Sequence, residues 1–183
     1  MGKVFDRLDA RLTEWLGAQH VFFVATAPAG REGLVNLSPK GLDSFTILGP
    51  CEVAYLDLTG SGAETIAHLR ENGRITFLFC AFEGPPKIVR LYGRGRVVEP
   101  QDAEFAGLRA KFGSPALARS IVVVELTRIA DSCGYGVPLM RFEADRTQLT
   151  DWAERKGPDA VREYQAQHNR ESLDGLPALR WLT

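Results

Sequence analysis

Two groups of residues in the first third of the chain have the types and spacing that recognise an anion. Lys40 closes the run VNLSPK at a strand end beside Ser38. A lysine there can supply the cation for a phosphate, with backbone amides as co-donors. Taken alone, such a lysine is more often simply solvated in a turn. The second group, Thr59-Gly60-Ser61-Gly62, leads into a helix expected to start near Ala63. Glycines let the backbone bend until consecutive amides face one point. The hydroxyls of Thr59, Ser61 and Thr65 can donate, and a helix N-terminus adds partial positive charge. The simpler alternative is that Thr59 or Ser61 only caps the helix. The turn lacks the lysine of a Walker A loop, which excludes a P-loop NTPase.

Other reactive residue types read more plainly. The stretch Asp131-Ser132-Cys133-Gly134-Tyr135-Gly136-Val137-Pro138 is a loop that could close over a flat ring through Tyr135 or its glycine amides. Cys133 has no neighbouring His or Lys to activate it and reads as an unreactive thiol. Cys51 and Cys80 lie in β-type runs and read as small core residues. Three cysteines at wide spacings make neither a disulfide framework nor a zinc pair, and His20, His68 and His168 form no ligand motif. No metal site is expected. Reduced thiols suit a cytoplasm. Trp15, Trp152 and Trp181 read as core or interface anchors.

The elements that must position these residues follow from periodicity. Residues 4 to 16 place Phe5, Leu8, Leu12, Trp15 and Leu16 on one helical face, ending at Gly17. HVFFVATA is a buried strand, PAGREG a turn, and LVNLSP a returning antiparallel strand. SFTIL and CEVAYLDL are the next strands, followed by the helix AETIAHLREN with Gly73 as its stop. ITFLFCAF and KIVRLYGRGRVV are two more strands, the second carrying Arg90, Arg94 and Arg96 at alternate positions. A helix follows Pro100, with Phe105, Leu108 and Phe112 as its apolar face. SIVVVELTRIA is a strong strand, and PLMRFEA is expected to be a short last one. From Thr147 to Asn169 the pattern is helical and broken at Gly157-Pro158; the tail SLDGLPALRWLT is irregular.

Antiparallel strands with few intervening helices exclude a doubly wound sheet. The expected fold is mainly β, a closed or split barrel of about six to eight strands. Residues 1–183 are read as one domain: an N-terminal helix to 17, a barrel over 18–146, and a helical extension over 147–183. With 183 residues, 45% hydrophobic and 25% charged, the chain is an ordinary globular protein long enough for one substantial core. A formal net charge of -1 gives no reason to expect nucleic acid or an anionic membrane as partner. No secretory signal and no transmembrane run are apparent.

In this order the segments resemble the FMN-binding split-barrel family of pyridoxamine 5'-phosphate oxidase-like proteins. The resemblance rests on FFVATA with VNLSPKG, and on VAYLDLTGSGAETIAHLRENGRITFLF with RLYGRGRVVEP, over roughly residues 20 to 130. The DSCGYGVP loop and the SLDGLPAL tail point to a subgroup other than the oxidase itself. The resemblance implies a homodimer with an FMN at each of two sites built from both subunits. By position, Lys40 matches the family's phosphate-contacting lysine and Thr59 its hydroxyl residue before the helix. The oxidase has an Arg-Lys pair where this chain has Glu64 and Thr65, and an arginine where it has Val35. Its substrate-gripping arginine and histidine are not visible in ESLDGLPALRWLT, so pyridoxamine oxidation is not expected.

The expectation is therefore an FMN-dependent oxidoreductase acting on an unspecified small molecule. Asn36, Ser38, Lys40, Thr59, Gly60, Ser61 and Thr65 would serve the phosphate and ribityl chain, with Arg90 and Tyr135 near the ring. Glu64, on a helix's first turn, is expected to face solvent. A flavin performs the redox step itself, so no protein acid or base is required and none is assigned. The alternatives are a non-catalytic flavin- or haem-binding split barrel for sensing or storage, and a dimeric module without cofactor.

Overall fold

In a computed structural model of the chain, residues 2–113 and 118–182 are described. Eight strands form one antiparallel sheet: β1 (Val4–Phe5), β2 (Phe22–Thr26), β3 (Asn36–Lys40), β4 (Phe45–Gly49), β5 (Glu52–Leu58), β6 (Arg74–Cys80), β7 (Ile88–Val98) and β8 (Ala118–Ser132). The hydrogen-bonded order is β3-β2-β6-β7-β8-β5-β4, with β1 paired to β8. β3 and β4 are the two free ends of that path, so the sheet curls without closing and the fold is a split barrel. Alternation decides which face each strand buries. Phe22, Tyr55, Phe77 and Phe79 point inward with Val122, Val124 and Leu91. Their rings meet at centroid distances of 5.3 to 5.9 Å around Phe22.

The helices pack around the sheet. α1 (Ala10–Gly17) is capped by Asp9, whose carboxylate accepts the Leu12 amide at 2.8 Å, and it inserts Leu12 and Leu16 into the core. The helix expected over residues 4 to 16 is therefore shorter. Asp9 starts it late, while Val4 and Phe5 pair with Ala130 and Ile129 as β1. α2 (Glu64–Asn72) ends at Gly73 in the left-handed region, φ 70°. Its Ala63, Ile66 and Ala67 pack against Ala178, Leu179 and Leu182 of the tail. α3 (Phe105–Arg109) covers the outer face of β5, β7 and β8. α4 (Gln148–His168) is broken at Gly157, φ 74° and ψ 164°, where the sequence reads Gly157-Pro158.

The tail is tied down by charge. Glu99, fully buried, accepts Arg70 and the Arg180 amide, and Arg180 also pairs with Asp102. Thr183, the tail's last residue, lies outside the described residues. The expected strand at PLMRFEA does not form. That segment has no strand neighbour; Met140 donates its amide to the Phe82 carbonyl, and Phe142 stacks on His20 at 3.6 Å. Cys51 sits exposed in the β4–β5 turn instead of the core, whereas Cys80 is buried and its thiol is pushed up by that burial. No helix among the described residues is long and apolar enough to cross a membrane.

Candidate functional site

β3, the end of β5 and the turn before α2 converge on a cavity of about 520 Å³. Ligand pockets commonly fall in this size range. Asn36, Ser38, Lys40, Gly60 and Ser61 line it. Lys40 lies within β3, on its last residue. The side chains form a graded wall. Ser38 donates to Asn36 Oδ1 at 2.9 Å, and Asn36 Nδ2 donates to both Thr26 and Thr65 hydroxyls at 3.0 Å. Thr26 in turn meets His68 Nδ1 at 3.0 Å, deep under α2. Thr65 thus orients Asn36 and is itself buried, one step behind the cavity.

The site's charge centre is a residue the sequence reading overlooked. Asp57, wholly buried on β5, accepts Arg119 Nε at 2.8 Å, Ser120 Oγ at 3.3 Å and Lys40 Nζ at 3.5 Å. Burial alone would push the Asp57 carboxyl up. Arg119, then Lys40, and the hydrogen bonds from Arg119 and Ser120 outweigh it and hold the carboxyl below its ordinary value. Arg119 reaches this position through a β-bulge. Asp57 pairs with Ser120 and Leu58 with Ala118, leaving Arg119 as the extra residue on β8. A bulge re-aims the side chain it carries. Strict alternation therefore could not have located Arg119, and its isolation in LARS offers no motif. Its guanidinium also approaches the Gly60 carbonyl at 3.4 Å, joining β8 to the turn.

The turn itself is held from behind. Gln165 of α4 donates to Thr59 Oγ1 at 2.8 Å, and Asn169 donates to the Gly60 carbonyl at 2.9 Å. Thr59 is buried and its hydroxyl serves this clasp, while Ser61 stays on the cavity side. Glu64, expected to face solvent, is half-exposed and turned toward the cavity. Its carboxylate folds back over Gly62, where a Cβ would come within 2.3 Å of Oε2, and it lines the cavity. The missing Cβ at Gly62 makes that fold-back possible. Lys40, Arg119 and Glu64 therefore border one space, with Asp57 buried behind the two cations.

Arg90 and Tyr135 are not brought to this cavity. Arg90 donates to Ser132 Oγ at 3.1 Å across β7 and β8, and Tyr135 is 82% exposed on its loop. The cavity's mouth is instead apolar: Leu34, Val35, Leu37 and Leu173 are 57, 74, 67 and 77% exposed around it. Among the described residues no three His, Cys, Asp or Glu side chains gather as a metal site.

Comparison with known proteins agrees with this architecture. Residues 8–133 match the family model described as pyridoxamine 5'-phosphate oxidase. The pyridoxamine 5'-phosphate oxidase family protein ustO of Aspergillus flavus is 42% identical over 96% of this chain and 77% of its own length. Among solved structures, a variant of the Group A Streptococcus protein HupZ superposes with a TM-score of 0.53 at 19% identity, covering 68% of this chain and 98% of the other. A Lactobacillus delbrueckii protein provisionally described as a pyridoxamine 5'-phosphate oxidase gives the same TM-score of 0.53 and 19% identity, covering 69% and 98%. These two likenesses bear on fold alone, whereas the sequence matches reach further: the chain belongs to the pyridoxamine 5'-phosphate oxidase family.

Proposed function

We propose that the chain is an FMN-dependent oxidoreductase of a small-molecule substrate, working as a homodimer with its flavin sites at the subunit interface. The observation that carries this reading is the Lys40–Asp57–Arg119 group beside the Gly60–Gly62 turn. A phosphate monoester needs cations and directed donors together. Lys40 and Arg119 supply the charge, Ser38 and Ser61 supply hydroxyls, and Asn36, fixed by Thr26 and Thr65, suits a ribityl hydroxyl. The apolar mouth suits a flat ring on one side and a second copy of the chain on the other. The exposed Tyr135 is then available to a partner's ring site. Three free cysteines fit a reducing compartment, and we place the protein in the cytoplasm.

The bound flavin would supply the electron or hydride transfer. The chain's own part is binding, orientation and exclusion of water. Pyridoxamine oxidation is not proposed, because Val35, Glu64 and Thr65 stand where the oxidase has cations. Haem through His68 is not favoured either. Its side chain is fully buried, Nδ1 meets Thr26 at 3.0 Å and Nε2 faces Asp174 at 3.8 Å.

Glu64 favours one rival, a split barrel that holds flavin weakly or not at all. The test is titration of the purified protein with FMN, followed by absorbance and fluorescence. Saturable binding is expected, and Lys40→Ala should weaken it about tenfold or more, the worth of a charged hydrogen bond. Unchanged affinity in that variant would put the phosphate elsewhere. A protein that ignores added FMN removes the catalytic and non-catalytic flavin readings alike. Anaerobic reduction of the bound flavin by NADH or NADPH then separates an enzyme from a carrier.

A further inference from the structure

A second cavity, of about 450 Å³, adjoins the first and shares Val35 with it. Its walls come from β2, β6, β7 and β8, and its polar lining is Arg74, Arg94, Tyr92, Thr26, Thr76 and Thr127. Arg74 and Arg94 are direct cross-strand partners in the antiparallel β6–β7 pair. Like charges placed directly opposite each other destabilise a sheet; on its other side Arg94 has Glu125 of β8 as cross-strand partner, without forming an ion pair with it. Among the described residues neither guanidinium has a carboxylate within ion-pair distance. Their partners are neutral oxygens: Arg94 donates to the Asn72 carbonyl at 2.6 Å, and Arg74 to the Pro28 carbonyl at 3.1 Å and Asn72 Oδ1 at 3.2 Å.

The bonds to Asn72 fasten the C-terminal end of α2, where the helix dipole welcomes a cation, and the bond to Pro28 ties Arg74 to the β2–β3 turn. They do not exhaust the pair. Each guanidinium has five N–H donors, so donors and both positive charges remain for a ligand. An anchor for one helix end requires a single cation. Two, set opposite each other at the wall of a cavity with an aromatic ring and threonine hydroxyls, form a fork for an oxyanion.

We infer that this cavity is an oxyanion subsite, holding the carboxylate or phosphate of a second ligand while the flavin lies in the adjoining cavity. This deepens the flavin reading and rests on it for the ligand's place in a reaction. The class of substrate follows: a small acid, or a cosubstrate whose phosphate lies one cavity away from the flavin phosphate. The two sources share one chemistry and are told apart by which probe binds.

The experiment needs no flavin, so its failure is distinct from failure of the flavin reading. Benzoate and adenosine 5'-monophosphate are titrated separately into the Lys40→Ala protein, which removes the principal competing cation. The arginine Nε–H resonances of the protein are followed by NMR, together with the backbone amides of Thr76 and Thr127, which report on the same cavity in variants that lack the arginines. Arg74 and Arg94 signals, assigned from the single Arg→Lys variants, are expected to move saturably with at least one probe. The double variant Arg74→Gln, Arg94→Gln should bind that probe about tenfold or more weakly, while FMN affinity in the otherwise unaltered chain stays within about twofold. The double Arg→Lys variant, which keeps both charges, should retain binding of that probe and guards against a folding defect. Stronger binding of benzoate assigns a carboxylic acid, and stronger binding of the nucleotide a phosphate. If neither probe moves the Arg74 and Arg94 signals, or if the double Gln variant binds as well as its parent, the subsite does not exist.

Discussion

A single buried carboxylate organises the site's charge. Asp57 has no access to water and is balanced by Arg119 and Lys40. Removing one partner of a buried pair leaves the other charge stranded, at a cost of about 3 to 5 kcal/mol. Arg119→Met should therefore lower the unfolding free energy by that order, far more than Lys40→Ala, because Lys40 is farther from Asp57 and more exposed. Chemical denaturation of the two variants checks the ranking. The sign of the pH dependence follows from the depressed Asp57 carboxyl. Its stabilisation is complete above the unfolded value of about 3.9 and is lost as pH falls through the lower folded value. Glu64 acts in the opposite sense on a ligand. Its carboxylate over Gly62 faces any phosphate in the cavity, so Glu64→Gln should tighten FMN several-fold, roughly 1 kcal/mol. An unchanged FMN dissociation constant would mean that the side chain swings clear when the phosphate arrives.

At the scale of elements, α4 supports the turn from outside the barrel. Gln165 and Asn169 hold Thr59 and Gly60 from one helix, so the position of the turn depends on a segment far away in sequence. Gln165→Leu loses a buried hydrogen bond and should cost about 1 to 2 kcal/mol. It should also weaken FMN several-fold although Gln165 does not line the cavity. If FMN affinity is unaffected, α4 is only a cover. The run from Glu52 to Asn72 is legible in the sequence because strand alternation, glycines and a helical face follow one another without overlap. Gly157-Pro158 is equally legible as a break, since φ 74° with ψ 164° is a conformation only glycine adopts readily. What escaped is of two kinds. Arg119 depends on a bulge, which shifts the alternation by one and leaves no compositional mark. β1 is two residues long, too short for any period, and the face of Phe5 and Leu8 suits a helix equally well until Asp9 is seen to cap it. The PLMRFEA segment has strand composition, but its amides go to Phe82 and Glu83 and not to a neighbouring strand.

Across the whole molecule, His68 links the helix, the site wall and the C-terminal loop. It touches Thr26, which orients Asn36, and it faces Asp174, which accepts the Leu34 amide at 3.1 Å at the cavity mouth. Burial lowers the His68 basicity, only partly opposed by Asp174, Glu64 and Glu71. The folded state therefore prefers the neutral imidazole, and the unfolded chain binds the proton more readily. Stability should be fully present above about pH 6.5 and fall as pH drops below it toward the lower folded value. The decline should flatten in His68→Gln, measured as urea midpoints at neutral and mildly acidic pH; an equal decline in both proteins would assign it to other groups.

The same loop brings Leu173 to the mouth beside Leu34, Val35 and Leu37, all more than half exposed. Four aliphatic side chains around a charged floor are a poor surface to leave in water, since each fully buried one would gain about 1.5 to 3 kcal/mol. A second copy placed there would cover the rim and roof the cavity at once, coupling dimerisation to cofactor retention. Leu37→Glu puts a charge into that contact without touching Lys40, Asp57 or Arg119. If the dimer is built on this rim, the variant runs as a monomer in size-exclusion chromatography with light scattering and binds FMN at least tenfold more weakly. Its melting temperature in the absence of flavin should follow that of the dissociated parent. A variant that remains dimeric and keeps its flavin would move the interface to another face, and the rim would then serve the ring alone.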